Sequence, residues 1–352
     1  MKRSLLTFML LPVAMWGQEI PQYYNNIDFK QSKENVKQQI AYKITSSHQE
    51  IGYNEVWNVL DRADQDPENP ENVLLIYGHK GNGTDRQARS RAKNKKGKGG
   101  GNANKWNREH VFAKSLASPK LIGSGNKIDA GSDAHNLRAA DVNWNSTRNN
   151  RKFEDAQGFS KKVGENWYPG DEWKGDVARI IMYMYVRYGS RTKPNNIGVG
   201  GNAEFQIPDM PDVFLKWNVQ DPPSEFEKRR NEEIFKTQQN RNPFIDNPYL
   251  ATLIWGGEKA EDPWKLAKTL GTSDIFKQED KAILYPAITY ANEEIRISKE
   301  IHHLQIFDMG SRLVFSKENK TSTFSAPSQS GVYVVKMLDS KNNKVYTEKI
   351  IV

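Results

Sequence analysis

The chain has 352 residues, 51 Lys plus Arg against 43 Asp plus Glu for a net charge of +8, 37% hydrophobic residues including nine Trp, and no cysteine. That length is too great for one ordinary compact domain and short for three, and the apolar content excludes wholesale disorder. The missing cysteine excludes disulfides, thiolate nucleophiles and Cys-ligated zinc, which leaves oxygen and imidazole as metal ligands and favours hard cations; the basic balance favours an anionic partner.

Residues 1–17 begin Met-Lys-Arg, run apolar from Leu5 to Met15 and reach a small residue at Gly17, the pattern of a secretory signal peptide. The apolar run is about 11 residues, too short for a hydrocarbon core of about 30 Å, so an exported, soluble mature protein is expected. Freedom from cysteine fits a bacterial exporter better than a eukaryotic one. Val36, Ile40 and Ile44, then Tyr53, Val56, Trp57 and Leu60, recur at helical spacing, and 72–77 (N-V-L-L-I-Y) reads as a buried strand. Residues 80–108 carry ten Lys/Arg and one acid, a net +9 that exceeds the charge of the whole chain. This segment is expected to be a solvated loop, either a polyanion-binding arm or a solubilising insertion. A short strand is expected over 106–112, a short helix over 143–151, and a stronger helix over 175–188 with Val177, Ile180, Ile181 and Met184 buried. A charged amphipathic helix at 226–235, a Pro-punctuated stretch at 242–249 and an apolar segment at 250–255 complete this part, which ends near Gly257. From Ala282 the texture changes to short alternating runs (295–297, 304–307, 313–315, 332–338, 345–352) separated by turn formers, a small all-β module of about 70 residues. Its adjacent His302 and His303 would face opposite sides of a strand and read as surface residues.

Chemistry concentrates just after the basic segment. Asn107-Arg108-Glu109-His110-Val111-Phe112 sets a carboxylate beside an imidazole, and Asp133-Ala134-His135-Asn136-Leu137-Arg138 is followed by Asn143, Asn145, Arg148, Asn149, Asn150 and Arg151. Neighbours on a strand point to opposite faces, so Glu109 and His110 serve one reaction only if the backbone bends or the reactants lie around an edge. Helical spacing puts Asn145, Arg148 and Asn149 on one face. These groups suit hydrolysis of a phosphodiester. His110 can deprotonate water, Glu109 and Asn145 suffice to hold Mg²⁺ (with Mn²⁺ as a substitute), and Arg148 can offer a fork of donors to phosphate. Lys93, Lys95, Lys96, Lys98, Lys105 and Arg108 would attract the nucleic-acid backbone without reading sequence. A zinc hydrolase built on His110 and His135 lacks the H-E-x-x-H spacing, and no G-K-[ST] supports a P-loop. A non-catalytic basic adhesin or nucleic-acid-binding surface protein remains the rival class.

N-R-E-H-V-F, D-A-H-N-L-R, W-N-S-T-R-N-N and N-R-N-P-F-I-D-N-P at 240–248, in that order, resemble the endonuclease I family of secreted bacterial nucleases over about residues 35–257. The resemblance implies a mainly helical nuclease domain at 18–262 with a ββα-metal (His-Me) finger; with a linker at 263–281 and the small all-β, sandwich-like module read above at 282–352, the fold class expected is α+β. The resemblance also implies His110 as general base, Glu109 and Asn145 as magnesium ligands, Arg148 as a phosphate contact, and Asp133, His135, Asn136 and Asn149 as supporting residues, with DNA as substrate and RNA as a second candidate. Ala113 and Ala139 stand where proline is frequent in that family, and Asn149 where serine is frequent. The C-terminal runs at 304–308, 331–336 and 349–352 resemble a type A sorting domain of type IX secretion, implying secretion machinery as a partner and an extracellular or cell-surface location; a monomer is expected.

Overall fold

The computed structural model describes residues 19–81, 85–97, 104–200, 209–269, 282, 284–285, 288–339 and 344–352. The expected signal peptide at 1–17, Lys98, the glycine run 99–101 and 270–281 of the expected linker lie outside them. Among the described residues no helix is long and apolar enough to cross a membrane.

Helix α1 (Lys33–Ser46) begins where the Ser32 hydroxyl accepts from the Asn35 N–H at 3.3 Å, and its Val36, Ile40 and Ile44 stripe is fully buried. Helix α2 (Val56–Ala63) follows, then strand β1 (Asn72–Leu74), paired antiparallel with β2 (Ser90–Ala92). Strand β3 (Trp106–His110) pairs antiparallel with β4 (Leu137–Asp141), which runs directly into α3 (Val142–Arg148). A small hairpin of β5 (Lys161–Val163) and β6 (Asn166–Tyr168) leads to α4 (Lys174–Tyr188), the central helix, from which Val177, Ile181 and Met184 face a large apolar core. Helices α5 (Asp212–Gln220), α6 (Glu225–Gln238), α7 (Pro243–Asp246), α8 (Tyr249–Trp255) and α9 (Leu266–Thr269) complete this unit. Trp264 and Leu266 belong to the same core, with Trp264 5.0 Å from the Tyr24 ring, so the nuclease unit reaches past the boundary expected at 262.

Two cores grip the β3–β4 hairpin. One face, with Trp106, Leu137 and Ala139, packs into a smaller cluster with Val56, Leu60, Val73 and Ile234; Ala140 and the following Val111 and Phe112 join the large core. Being pinned on both sides, the hairpin is a rigid platform.

The expectation of a solvated loop over 80–108 needs correction. Strand β2 lies within it, Ala88, Ser90 and Arg91 are buried, and Arg91 donates to Asp141 at 2.7 Å. Asp141 also caps α3 by accepting from the Asn143 and Trp144 N–H groups. The charge that made the segment look solvated is here a neutralised anchor folded onto the start of α3.

The C-terminal unit has two sheets, β10 (Leu313–Lys317), β9 (His303–Asp308), β12 (Val332–Asp339) and β13 (Lys344–Ile351) in that order, and β11 (Thr321–Ser325), β8 (Glu294–Ile301) and β7 (Leu284–Tyr285). Ile295, Ile297 and Phe324 of one and Leu304, Ile306, Val335 and Met337 of the other share one core, so the unit is a two-layer sandwich. His302 falls in the bend between β8 and β9, 3.7 Å from Asp339, and His303 opens β9 and bonds Ser316 at 3.1 Å, so the two are not neighbours on one strand as expected.

Candidate active site

Alternation along β3 separates two sets of side chains. Asn107 and Glu109 turn toward α3, whereas Trp106, Arg108 and His110 turn toward α2 and the loop before it. Helix α3 lies along the first face: the Asn145 amide donates to Asn107 Oδ1 at 2.8 Å, and Arg148, one turn on, meets Glu109 at 3.1 Å. Glu109 and Asn145 are therefore neighbours across the strand–helix junction. Glu109 is 3% exposed, and its Oε1 also accepts from Tyr77 Oη at 2.9 Å, leaving Oε2 without a donor among the described residues. Burial pushes the Glu109 carboxyl up to about 7, against the opposing pull of Arg148 and Tyr77. It is an under-neutralised carboxylate, and the side-chain Oδ1 of Asn145 has no hydrogen bond among the described residues. Among the described residues no three His, Cys, Asp or Glu side chains cluster, so a cation here would meet one carboxylate and one amide oxygen, a donor set that suits a hard ion retaining waters.

His110 closes the other face. Its ring stacks on Tyr53 at 5.5 Å, and Nε2 lies 2.8 Å from the Gly131 carbonyl oxygen. A carbonyl only accepts, so Nε2 carries the proton and the neutral ring keeps its lone pair on Nδ1. Burial lowers the imidazole to about 3, with Lys114, Arg108 and Arg148 lowering it further against the Gly131 bond. Two glycines make this seat possible: a Cβ on Gly123 would stand 2.9 Å from His110 Nε2, and one on Gly131 would stand 2.3 Å from the Ile122 oxygen. On the strand edge away from β4, Trp106 bonds Lys95 and Gly97, and no backbone partner follows among the described residues.

Arg148 is placed differently from its expected role. It is fully buried, donating to the carbonyls of His110 and Asn149 at 3.1 Å and of Val111 at 2.8 Å as well as meeting Glu109. Its two terminal nitrogens are spent on the strand end and its Nε is buried without a partner, so it braces the hairpin and none of its donors faces solvent. Asn149 holds a φ of 55° at the end of α3, where its N–H bonds Asn145 O at 2.8 Å.

The D-x-H-N motif is a staple. Asp133 caps the following turn through the His135 N–H and accepts from Tyr183, Tyr188, Arg187 and Gln238. Burial alone would raise its carboxyl, but Arg187 and the His48 and His135 imidazoles hold it well below the usual range. His135 is fully buried on Asn240 O at 3.2 Å, and burial lowers it to about 3. Asn136 mimics a peptide, accepting from Phe112 N at 2.7 Å and donating to Phe112 O at 3.2 Å, which fixes the chain just beyond His110.

The basic residues divide. Lys95 is exposed, whereas Lys96 bridges Asp61 at 2.5 Å beneath Trp57 and Trp106, and Lys93 bonds Gln65 at 2.8 Å. Arg108 lies 3.5 Å from the Tyr53 ring centre and 4.3 Å from that of Trp57, and Lys105 is half-buried beside Gly97. Lys96 and Arg108 are thus committed internally. Tyr77, Asn107, Gly123 and Gly131 had no functional role in the sequence reading, although Asn107 lies inside the N-R-E-H-V-F motif, and Tyr53, expected in a helical stripe, instead precedes α2 and stacks on His110.

Residues 32–249 match the Endonuclease I family. Over 224 residues the chain is 42% identical to a protein named extracellular ribonuclease from Bacillus amyloliquefaciens and 40% identical to one of the same name from Bacillus subtilis (strain 168), covering 61% of this chain and 72% of each relative. A periplasmic deoxyribonuclease from Aeromonas hydrophila is 29% identical over 132 residues, 34% of this chain and 49% of that protein. With the match spanning more than half its length, this chain is a nuclease belonging to the Endonuclease I family.

Proposed function

We propose that this secreted nuclease hydrolyses phosphodiester bonds of both DNA and RNA with little sequence preference, using His110 as general base and Glu109 with Asn145 as the seat of a divalent cation, Mg²⁺ in the first place. The observation that carries the reading is the fixed tautomer of His110, whose proton is committed to Gly131 O and whose Nδ1 is left to accept. The order β3, β4, α3 around Glu109, His110 and Asn145 fits a ββα-metal finger.

Glu109 and Asn145 would hold the ion, and Tyr77 and Arg148 keep the carboxylate oriented. When bound, the cation supplies positive charge to the scissile phosphate and its leaving oxygen. His110 takes the proton of the attacking water at Nδ1, and burial, by disfavouring the imidazolium, keeps that lone pair available at neutral pH. Tyr53 stacking and the Gly131 bond restrict the ring to one orientation, so little reorganisation is needed. Exposed Lys95 and Lys114 contribute unspecific attraction to the phosphate backbone. The names of the relatives, ribonuclease in two and deoxyribonuclease in another, favour a substrate range covering both nucleic acids. Residues 1–17 are proposed to direct export and the β-sandwich to serve type IX secretion.

Plasmid DNA and RNA incubated with wild type and His110→Ala, each with Mg²⁺ or EDTA, test the reading. Cleavage of both by wild type in Mg²⁺ alone supports it; undiminished turnover by His110→Ala removes His110 from the mechanism.

A further inference from the structure

The Gly131 carbonyl that orients His110 belongs to the 119–132 loop, whose tip is held by Tyr53 and Asn54 through Lys127 O and Gly125 O and whose two arms are tied to each other by two side chains, Asp129 and Arg191. Arg191, in the turn that follows α4, spends its guanidinium on this loop: Nε donates to Pro119 O at 2.9 Å, Nη2 to Lys120 O at 2.9 Å, and Nη1 and Nη2 reach Asp129 Oδ1 at 2.6 Å and Oδ2 at 2.9 Å. Asp129 then accepts from the Ile122 N–H at 2.7 Å and the Gly131 N–H at 3.2 Å. Its main chain closes a capping box with Ser132 around the Ala130–Ser132 turn. One ion pair therefore ties both arms of the 119–132 loop together where Ile122, Gly123 and Gly131 touch at the His110 ring. From the C-terminal sandwich side, Tyr290 covers the pair, its hydroxyl accepting from Arg191 at 3.2 Å.

We infer that Asp129 and Arg191 are positioning residues for His110, acting through the Gly131 carbonyl; this rests on the reading of His110 as the general base. A bidentate ion pair fixes direction as well as distance, and Lys cannot reproduce four directed donors. Without it the loop can relax, the Gly131 oxygen moves off Nε2, and the ring loses the bond that selects its tautomer. Neither residue touches Glu109 or Asn145, so the cation seat is untouched by the change.

The test uses the full chain with Asp129→Asn and Arg191→Lys, beside His110→Ala, assayed on plasmid DNA in saturating Mg²⁺ and by long-range ¹H–¹⁵N spectra of the imidazoles. The expected result is a fall in kcat of about 10- to 100-fold with KM within about twofold, and loss of the single Nε2–H pattern from the resonance that His110→Ala abolishes. A purely structural role would lower thermal stability but leave kcat per folded molecule and the tautomer pattern alone. Unchanged kcat and tautomer in either folded variant, with His110→Ala inactive, overturns the inference and leaves the proposed function standing. Wild-type turnover in His110→Ala sinks the general-base reading instead, and the tautomer spectrum alone then decides whether the pair positions the ring. Should Asp129→Asn fail to fold, Arg191→Lys, which keeps the charge, carries the same test.

Discussion

Replacing Arg148 with Met separates a brace from a phosphate contact. The guanidinium is fully buried, and its removal strips a donor from three carbonyl oxygens, those of His110, Val111 and Asn149, and leaves Glu109 without its ion-pair partner. A buried acceptor left without a donor costs about 1–3 kcal/mol, and breaking one side of a buried ion pair about 3–5 kcal/mol. These overlap because the same nitrogens serve both, so the expected loss is about 3–5 kcal/mol, with a fall in Tm of about 10 °C. Glu109 already sits at about 7, and without Arg148 it rises further, so a larger share is protonated at neutral pH. Urea unfolding and calorimetry should thus show a clear stability loss, while cleavage assays show a raised Mg²⁺ requirement relieved by raising the pH. A variant with wild-type stability, ordinary Mg²⁺ dependence and a KM raised by an order of magnitude would refute the brace and return Arg148 to the substrate.

Two further outcomes follow from the surroundings of single residues. The folded-state carboxyl of Asp133 lies below its unfolded value of about 3.9, so its stabilisation is complete above about pH 4 and is lost as the pH falls through that region toward the folded value. Urea unfolding at pH 6 and pH 3 should show a smaller acid-induced loss in Asp133→Asn than in wild type, and an equal loss would exclude Asp133 as the source. In the His110→Ala background, Lys95→Ala should reduce the slope of log affinity against log salt on duplex DNA by about 0.9, whereas Lys96→Ala, already tied to Asp61, should leave it nearly unchanged; equal effects would contradict that distinction.

The helices whose apolar residues recur at regular spacing were readable in advance, as Val36, Ile40 and Ile44 of α1 and the stripe of α4 illustrate, because burial on one face leaves a period in the sequence. Strand β11 left no such mark: in T-S-T-F-S only Phe324 is apolar, and its partner β8 supplies the rest of that layer. Charge misled over 80–108, since composition cannot tell a solvated Arg from one neutralised by a distant carboxylate, and Asp141 lies fifty residues beyond Arg91. The candidate site was legible as a set of residue types: Glu109 and His110 stand side by side at the end of β3, and Asn145 of α3 bonds Asn107 of the same strand. Its support was not. Tyr77 and Tyr53 reach the site from elements far upstream, Gly131 acts through its carbonyl, and the burial of Arg148 depends on Val111 and Phe153 packing around it, none of which a local motif encodes.

The account turns on a divalent ion seated between Glu109 and Asn145, with the His110 ring around the strand edge. Anomalous diffraction from crystals of the His110→Ala protein soaked in Mn²⁺ locates such an ion directly. The account predicts one principal peak at about 2.0–2.3 Å from a Glu109 carboxylate oxygen and the Asn145 Oδ1. A principal peak bound by other residues, or none at this strand end in crystals that bind manganese elsewhere, would contradict it.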